Sequence, residues 1–143
     1  MNGAPVRSPA DSPPRSFLAF DFGTRRIGAA TGNTLTRSAQ ALHTLTGVGD
    51  EAFRQIDALI AQWQPSALVV GVPFHPDGAP HDNTVRARRF ARRLHGRFHL
   101  PVHEVDERYS TTEARARGAR DLDAASAAII LEQFLHDFFE KSE

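Results

Sequence analysis

The sequence predicts an α/β fold: a five-stranded mixed sheet flanked by helices, with its elements in the order β-β-β-α-β-α-β-α. Three short strand-like segments follow one another between residues 17 and 45, joined by connections too short for a crossover, which makes them an antiparallel meander. From Phe53 onward the apolar residues recur at a period near 3.6, and strands then alternate with helices. The run "ALVVGVP", residues 67 to 73, is continuously apolar, as expected of a strand covered on both faces. Helices on both sides of a mixed sheet follow from that pattern.

Each element has its own warrant. Residues 1–16, "MNGAPVRSPADSPPRS", hold four prolines and almost no bulky apolar side chain, so they are expected to form a disordered tail. The domain is expected to span 17–139, with 140–143 as a short C-terminal tail. Phe17 to Phe22 forms the first strand, ended by Gly23. Arg26 to Gly32, "RIGAATG", forms the second, with small residues where backbones can approach closely. A weaker third runs from about Ala39 to Leu45. Phe53, Ile56, Leu59, Ile60 and Trp63 then line one helical face, with Pro65 just past its end. After strand 67–73, "HPDG" at 75 to 78 makes a turn. A helix follows from about Asn83 to Arg97, with Ala87, Phe90, Ala91 and Leu94 on its apolar line. "PVHEVDE", 101 to 107, is the fifth strand, and "STTE", 110 to 113, reads as a capping box opening a short helix. The last helix runs from about Asp123 to Phe139.

Composition narrows the function classes. A chain of 143 residues, 41% hydrophobic and 24% charged, is an ordinary single globular domain. There is no cysteine, which excludes a disulfide framework or thiolate metal site and fits a reducing cytoplasm. No apolar run approaches the roughly 18 residues of a membrane span, and the N-terminus lacks the apolar core of a secretory signal. The net charge of zero argues against indiscriminate nucleic-acid binding. The charges are segregated, however. Arg86, Arg88, Arg89, Arg92, Arg93 and Arg97 crowd one helix, while Glu132, Asp137, Glu140 and Glu143 weight the C-terminus.

Within "FLAFDFGTRRIGAATG", residues 17 to 32, Asp21 stands among residues destined for burial, where an unpaired carboxylate is costly. Glu107 ends the fifth strand and Asp123 starts the last helix. Acids at such element ends can converge across an α/β sheet, and a divalent cation relieves their mutual repulsion. Hard oxygen ligands select Mg²⁺ or Mn²⁺. Each acid also has a plainer reading. Asp123 suits an N-cap, Glu107 suits a surface ion pair with Arg108, and Asp21 suits a hydrogen bond to the Gly23–Thr24 turn. The arginine helix reads either as a solvated face or as a set of phosphate contacts. The seven histidines show no metal-ligand spacing.

Five blocks, "FDFGTRRIG", "VVGVPFHPDG", "NTVRARRFARRLHGRF", "VDERYSTTEA" and "DAASAAIILEQF", together resemble the YqgF family across residues 17 to 139. Its bacterial members are described as nucleases of precursor 16S ribosomal RNA and also as Holliday junction resolvases. The resemblance implies a ribonuclease H-like fold and metal-dependent phosphodiester hydrolysis in the cytoplasm, trimming the 5′ end of precursor small-subunit RNA. It implies that Asp21, Glu107 and Asp123 form the catalytic, metal-binding set for one or two Mg²⁺ or Mn²⁺ ions. Thr24, Arg26 and Arg108 lie beside those ligands as phosphate contacts, and Arg86, Arg89 and Arg93 bind backbone farther along. The partners implied are precursor ribosomal RNA, branched DNA or a ribosomal precursor particle, met by a monomer or homodimer. The segment before Asp123 is shorter than usual in the family, which leaves Asp121 as an alternative third ligand. "DFGT" also resembles the phosphate-binding turn of sugar kinases and Hsp70-type ATPases, but those need two such domains around the nucleotide. A non-catalytic RNA-binding module for ribosome assembly is the other alternative.

Overall fold

Five strands form one sheet in the spatial order β3-β2-β1-β4-β5: β1 (Ser16–Phe22), β2 (Ile27–Asn33), β3 (Ser38–Leu45), β4 (Ala67–Pro73) and β5 (Val102–Glu107). The computed structural model describes residues 15–23, 25–74, 79, 82–107, 118 and 120–142. β1, β2 and β3 pair antiparallel as a meander, while β1–β4 and β4–β5 pair parallel. The first strand begins at Ser16, one residue before the position expected. Arg15 is tied down too, because its N–H donates to Thr34 Oγ1 at 2.9 Å. Residues 1–14 of the expected tail, and the expected turn at 75–78 and short helix from 110, lie outside the described residues.

Helix α1 (Asp50–Trp63) and helix α2 (Asp82–Phe98) cover one face of the sheet. Their core joins Leu18 and Phe20 of β1 and Leu68 and Val70 of β4 to Phe53, Ile56, Phe90 and Leu94. Helix α3 (Leu122–Ser142) covers the other face. There Phe17, Ala19, Ala67, Val69 and Val105 pack against Ile130, Leu131 and Leu135. Successive strand residues point to opposite faces, so the continuous apolar runs of β1 and β4 feed both cores at once. α1 ends where Gln64 turns left-handed (φ 47°) and donates its N–H to Ile60 O at 2.8 Å, ahead of Pro65. α2 is anchored at its start by the Thr84 hydroxyl, which donates to the Pro73 carbonyl at the end of β4.

α3 packs directly against strand backbone where the strands beneath it carry glycines. A Cβ at Gly28 of β2 would stand 1.9 Å from the Asp123 carbonyl oxygen, so only glycine fits under the first turn of α3. At Gly71 of β4 a Cβ would lie 2.3 Å from Ile130 Cδ1. Ala30, Ala127 and Ala128 continue this small-residue contact.

Candidate active site

The strand register brings the glycines and Asp21 together. Asp21 of β1 sits between Gly28 of β2 and Gly71 of β4. Both neighbours lack side chains, so the start of α3 descends over Asp21 instead of being held off. Glu107, the last residue of β5, pairs with Pro73, and its Cβ lies 3.4 Å from where a Gly71 Cβ would be. Asp21 and Glu107 both project toward the α3 face, at the carboxyl ends of parallel strands. That edge is where open α/β sheets place their ligands. Asp123, in the first turn of α3, completes the group.

Asp21 lies close enough to Glu107 and Asp123 to be affected by both charges. Asp21 is half-buried, and its carboxyl pKa is pushed up to about 8, first by burial and then by the charges of Glu107 and Asp123. Two strand spacings, about 10 Å of backbone, separate β1 from β5. Among the described residues, no three His, Cys, Asp or Glu side chains are gathered as closely as one metal ion requires. Asp21 thus lies within reach of both neighbouring charges, while the three carboxylates are not drawn into one tight cluster.

Asp121 and Asp123 occupy different roles. Asp121 caps α3: its Oδ1 accepts from Ala124 N at 3.0 Å, and its carbonyl accepts from Ala125 N at 2.9 Å. The same carboxylate binds β3, accepting from the Thr44 hydroxyl at 2.6 Å and from Thr44 N at 3.0 Å. Burial alone would raise its pKa, but these hydrogen bonds, with one from Asp123 N, hold it below the usual carboxylate value. Asp121 is therefore spent on capping and on locking α3 to β3, and the plainer N-cap reading of Asp123 passes to it. Among the described residues, Asp123 meets Arg26, whose Nε lies 3.2 Å from Asp123 Oδ2, and the Thr44 hydroxyl at a long 3.5 Å.

The plainer reading of Asp21, a hydrogen bond to the Gly23–Thr24 turn, falls partly on Thr24, outside the described residues. Gly23 N donates to Arg26 O at 2.8 Å, closing the turn on itself. Thr24 and Arg108 lie outside the described residues. Arg86, Arg89 and Arg93 are on α2, across the sheet from the acids, where they line a groove with Phe22 and Phe90. The glycine positions beneath α3 are the functional residues that motif reading missed. Their signal was present as small residues in "RIGAATG" and "VVGVP", but which element they admit depends on register.

Comparison with known proteins agrees with the fold and the motifs. A protein of Albidiferax ferrireducens named "Putative pre-16S rRNA nuclease" is 64% identical over 121 residues, covering 85% of this chain and 78% of that one. A protein of the same name from Burkholderia thailandensis is 53% identical over 135 residues, covering 90% and 92%. Among solved structures, Thermus thermophilus RuvC in complex with a Holliday junction substrate superposes with a TM-score of 0.52 at 16% identity, covering 90% of this chain and 98% of that one. This likeness establishes the ribonuclease H-like fold. Residues 15–137 match the family described as "RuvX: Holliday junction resolvase", and the chain belongs to that family.

Proposed function

We propose that this protein is a metal-dependent endonuclease that hydrolyses phosphodiester bonds, and that its substrate is the 5′ region of precursor small-subunit ribosomal RNA. The observation that supports the reading is that Asp21, at the carboxyl edge of the parallel strands, lies within electrostatic reach of both Glu107 and Asp123. The names of relatives at 53–64% identity supply the substrate. It follows from this reading that the protein works in the cytoplasm. Among the described residues no helix is long and apolar enough to cross a membrane.

The donor chemistry suits a hard divalent cation: three carboxylates, with Asp21 raised in pKa first by burial and then by the charges of Glu107 and Asp123. The three are not drawn together around one point. Asp21, Glu107 and Asp123 would hold Mg²⁺ or Mn²⁺, which supplies positive charge for the scissile phosphate and lowers the pKa of an attacking water. The chain's own residues do the rest. Asp21 retains a proton near neutral pH and must release it as the site becomes fully anionic. Arg26 is 72% exposed, so its ion pair with Asp123 is screened and weak, and its guanidinium can exchange that partner for a substrate phosphate. The Asp121–Thr44 lock fixes α3 and so keeps Asp123 over the site. No side-chain nucleophile is needed.

The test is cleavage of a labelled precursor of the small-subunit RNA 5′ region beside a four-way DNA junction, with Mg²⁺, Mn²⁺ or EDTA, for wild type and Asp21→Asn. Metal-dependent RNA cutting that falls by at least about a hundredfold in the variant is the expected result. Cutting of the junction alone would favour the resolvase reading, which the RuvC-like fold supports and which calls for a dimer for symmetric incision. Binding of RNA without any cutting, in isolation and on a ribosomal precursor particle, would leave a non-catalytic assembly module.

A further inference from the structure

On the face opposite the acids, a groove of about 520 Å³ opens between α2 and the start of α1. Its floor is the half-buried ring of Phe22, backed from the core by the buried Phe90, with ring centroids 5.0 Å apart and planes 28° from parallel. Its rim is cationic, formed by Arg86, Arg89 and Arg93. These positions follow a spacing of three and four along α2, so they make one stripe roughly 10 Å long.

The arginines of α2 divide by what they touch. Arg88 is paired with Glu104 at 3.3 Å and lies over Phe74, and Arg97 lies over Phe53 and Phe98. These two have structural employment. Arg86 and Arg89 are exposed and have no carboxylate partner among the described residues. Arg93 rests its guanidinium 4.6 Å from the Phe53 ring centroid, which holds it beside the groove. A merely solvated face needs no aromatic floor. A floor that stacks with a rim that binds phosphate is the combination by which proteins hold single-stranded nucleic acid.

We propose that this groove binds an unpaired nucleotide of a single strand, its base against the Phe22 ring that Phe90 backs, and its flanking phosphates on Arg86, Arg89 and Arg93. Asp21 and Phe22 are consecutive and point to opposite faces of β1, so the groove and the acids meet at the same edge of the sheet. A strand held in the groove leads over that edge to the acidic site. The purpose of the groove rests on the nuclease reading, but its occupancy does not, because binding can be measured without cleavage. A paired duplex has its bases stacked internally and cannot offer one to the floor.

The experiment uses the full chain in EDTA, with fluorescence anisotropy of short labelled strands: RNA, DNA of the same sequence, a backbone-only abasic strand and a blunt duplex. The base-bearing single strands should bind roughly tenfold tighter than the abasic strand and the duplex. The RNA and DNA arms identify which strand the groove prefers. Gly49→Leu should abolish the preference by filling the groove, since a Cβ at Gly49 meets nothing within 4 Å. Phe22→Leu should reduce it, and Arg86→Gln with Arg89→Gln should lower the salt dependence by about one to two ions. Thermal melts of each variant establish that it is folded. Equal binding of abasic and base-bearing strands, or binding unchanged in folded Gly49→Leu, overturns the proposal. Either result leaves the cleavage test untouched, just as failure of Asp21→Asn to stop cleavage would leave this one standing.

Discussion

At the scale of single residues, two aspartates pull stability in opposite directions as pH changes. Asp21 has its folded-state pKa raised to about 8, so between about 4 and 8 the folded chain holds a proton that the unfolded chain releases. Stability contributed by the neutral carboxyl is complete at low pH and is lost as pH rises through that window. Asp21→Asn removes the loss. Without divalent cations it should be more stable than wild type above about pH 4, with the gap growing toward pH 8 to on the order of a few kcal/mol. Urea titrations across pH would show it, and a constant gap would contradict the buried-carboxylate account. Mg²⁺ or Mn²⁺ should raise the melting temperature of wild type more than that of the variant. Asp121 has the opposite sign: its folded pKa is lowered, so its contribution is present above the unfolded value and disappears as pH falls through the folded one. Asp121→Ala should cost about 1–2 kcal/mol by removing the cap, whereas Asp121→Asn, also a good capping residue, should cost less. Equal losses in the two variants would mean that charge, not capping, is what α3 needs.

At the scale of elements, the placement of α3 depends on what β2 and β4 omit. Gly28→Ala would drive a methyl into the Asp123 carbonyl, which is backbone and cannot swing aside. It should destabilise by about 1–3 kcal/mol and lower cleavage further than stability alone explains, because Asp123 moves with the helix. Gly71→Ala meets the end of the Ile130 side chain, which has rotamers to use, and should be milder. Near-wild-type activity in Gly28→Ala would show that the helix start need not be where it is. The elements themselves were largely legible. The five strands, the helices at 50–63, 82–98 and 122–142, and the two-sided sheet all follow from periodicity and continuous apolar runs. β3 was faint because it is an edge strand with a single buried position, and its pairing with β2 slips at Ala29/Ala30. Which of Asp121 and Asp123 caps α3 was not legible, since both precede the same apolar run. The answer required Thr44, which is 77 residues away from Asp121 in the chain. The close approach over Gly28 and the groove beneath Arg86 depend on strand register and helix placement, which spacing along one chain does not carry.

At the scale of the whole molecule, the two cores are built on the same strands. Phe17 and Phe20 are near neighbours on β1 and are both fully buried, yet Phe17 packs toward α3 while Phe20 packs toward α1 and α2. Losing either core exposes strands that the other needs, so the chain should unfold as one unit. Phe17→Ala and Phe20→Ala should each cost about 3–5 kcal/mol and shift a single transition. Trp63, at the end of α1, offers a probe remote from α3. Its fluorescence and the far-UV circular dichroism should coincide in Phe17→Ala as in wild type. Separate midpoints would mean that the α3 face melts independently.

The position of α3 in the chain also orders events during synthesis. All five strands precede it, so a ribosome that has just released β5 from its exit tunnel holds a chain with Asp21 and Glu107 in place but without Asp123. That nascent chain also bares Phe17, Ala19, Ala67 and Val69, which α3 will cover. The third acid and the cover for that apolar face arrive in the same segment. A half-made molecule therefore bares an apolar face and lacks the third acid of the proposed site, and the docking of α3 should supply both.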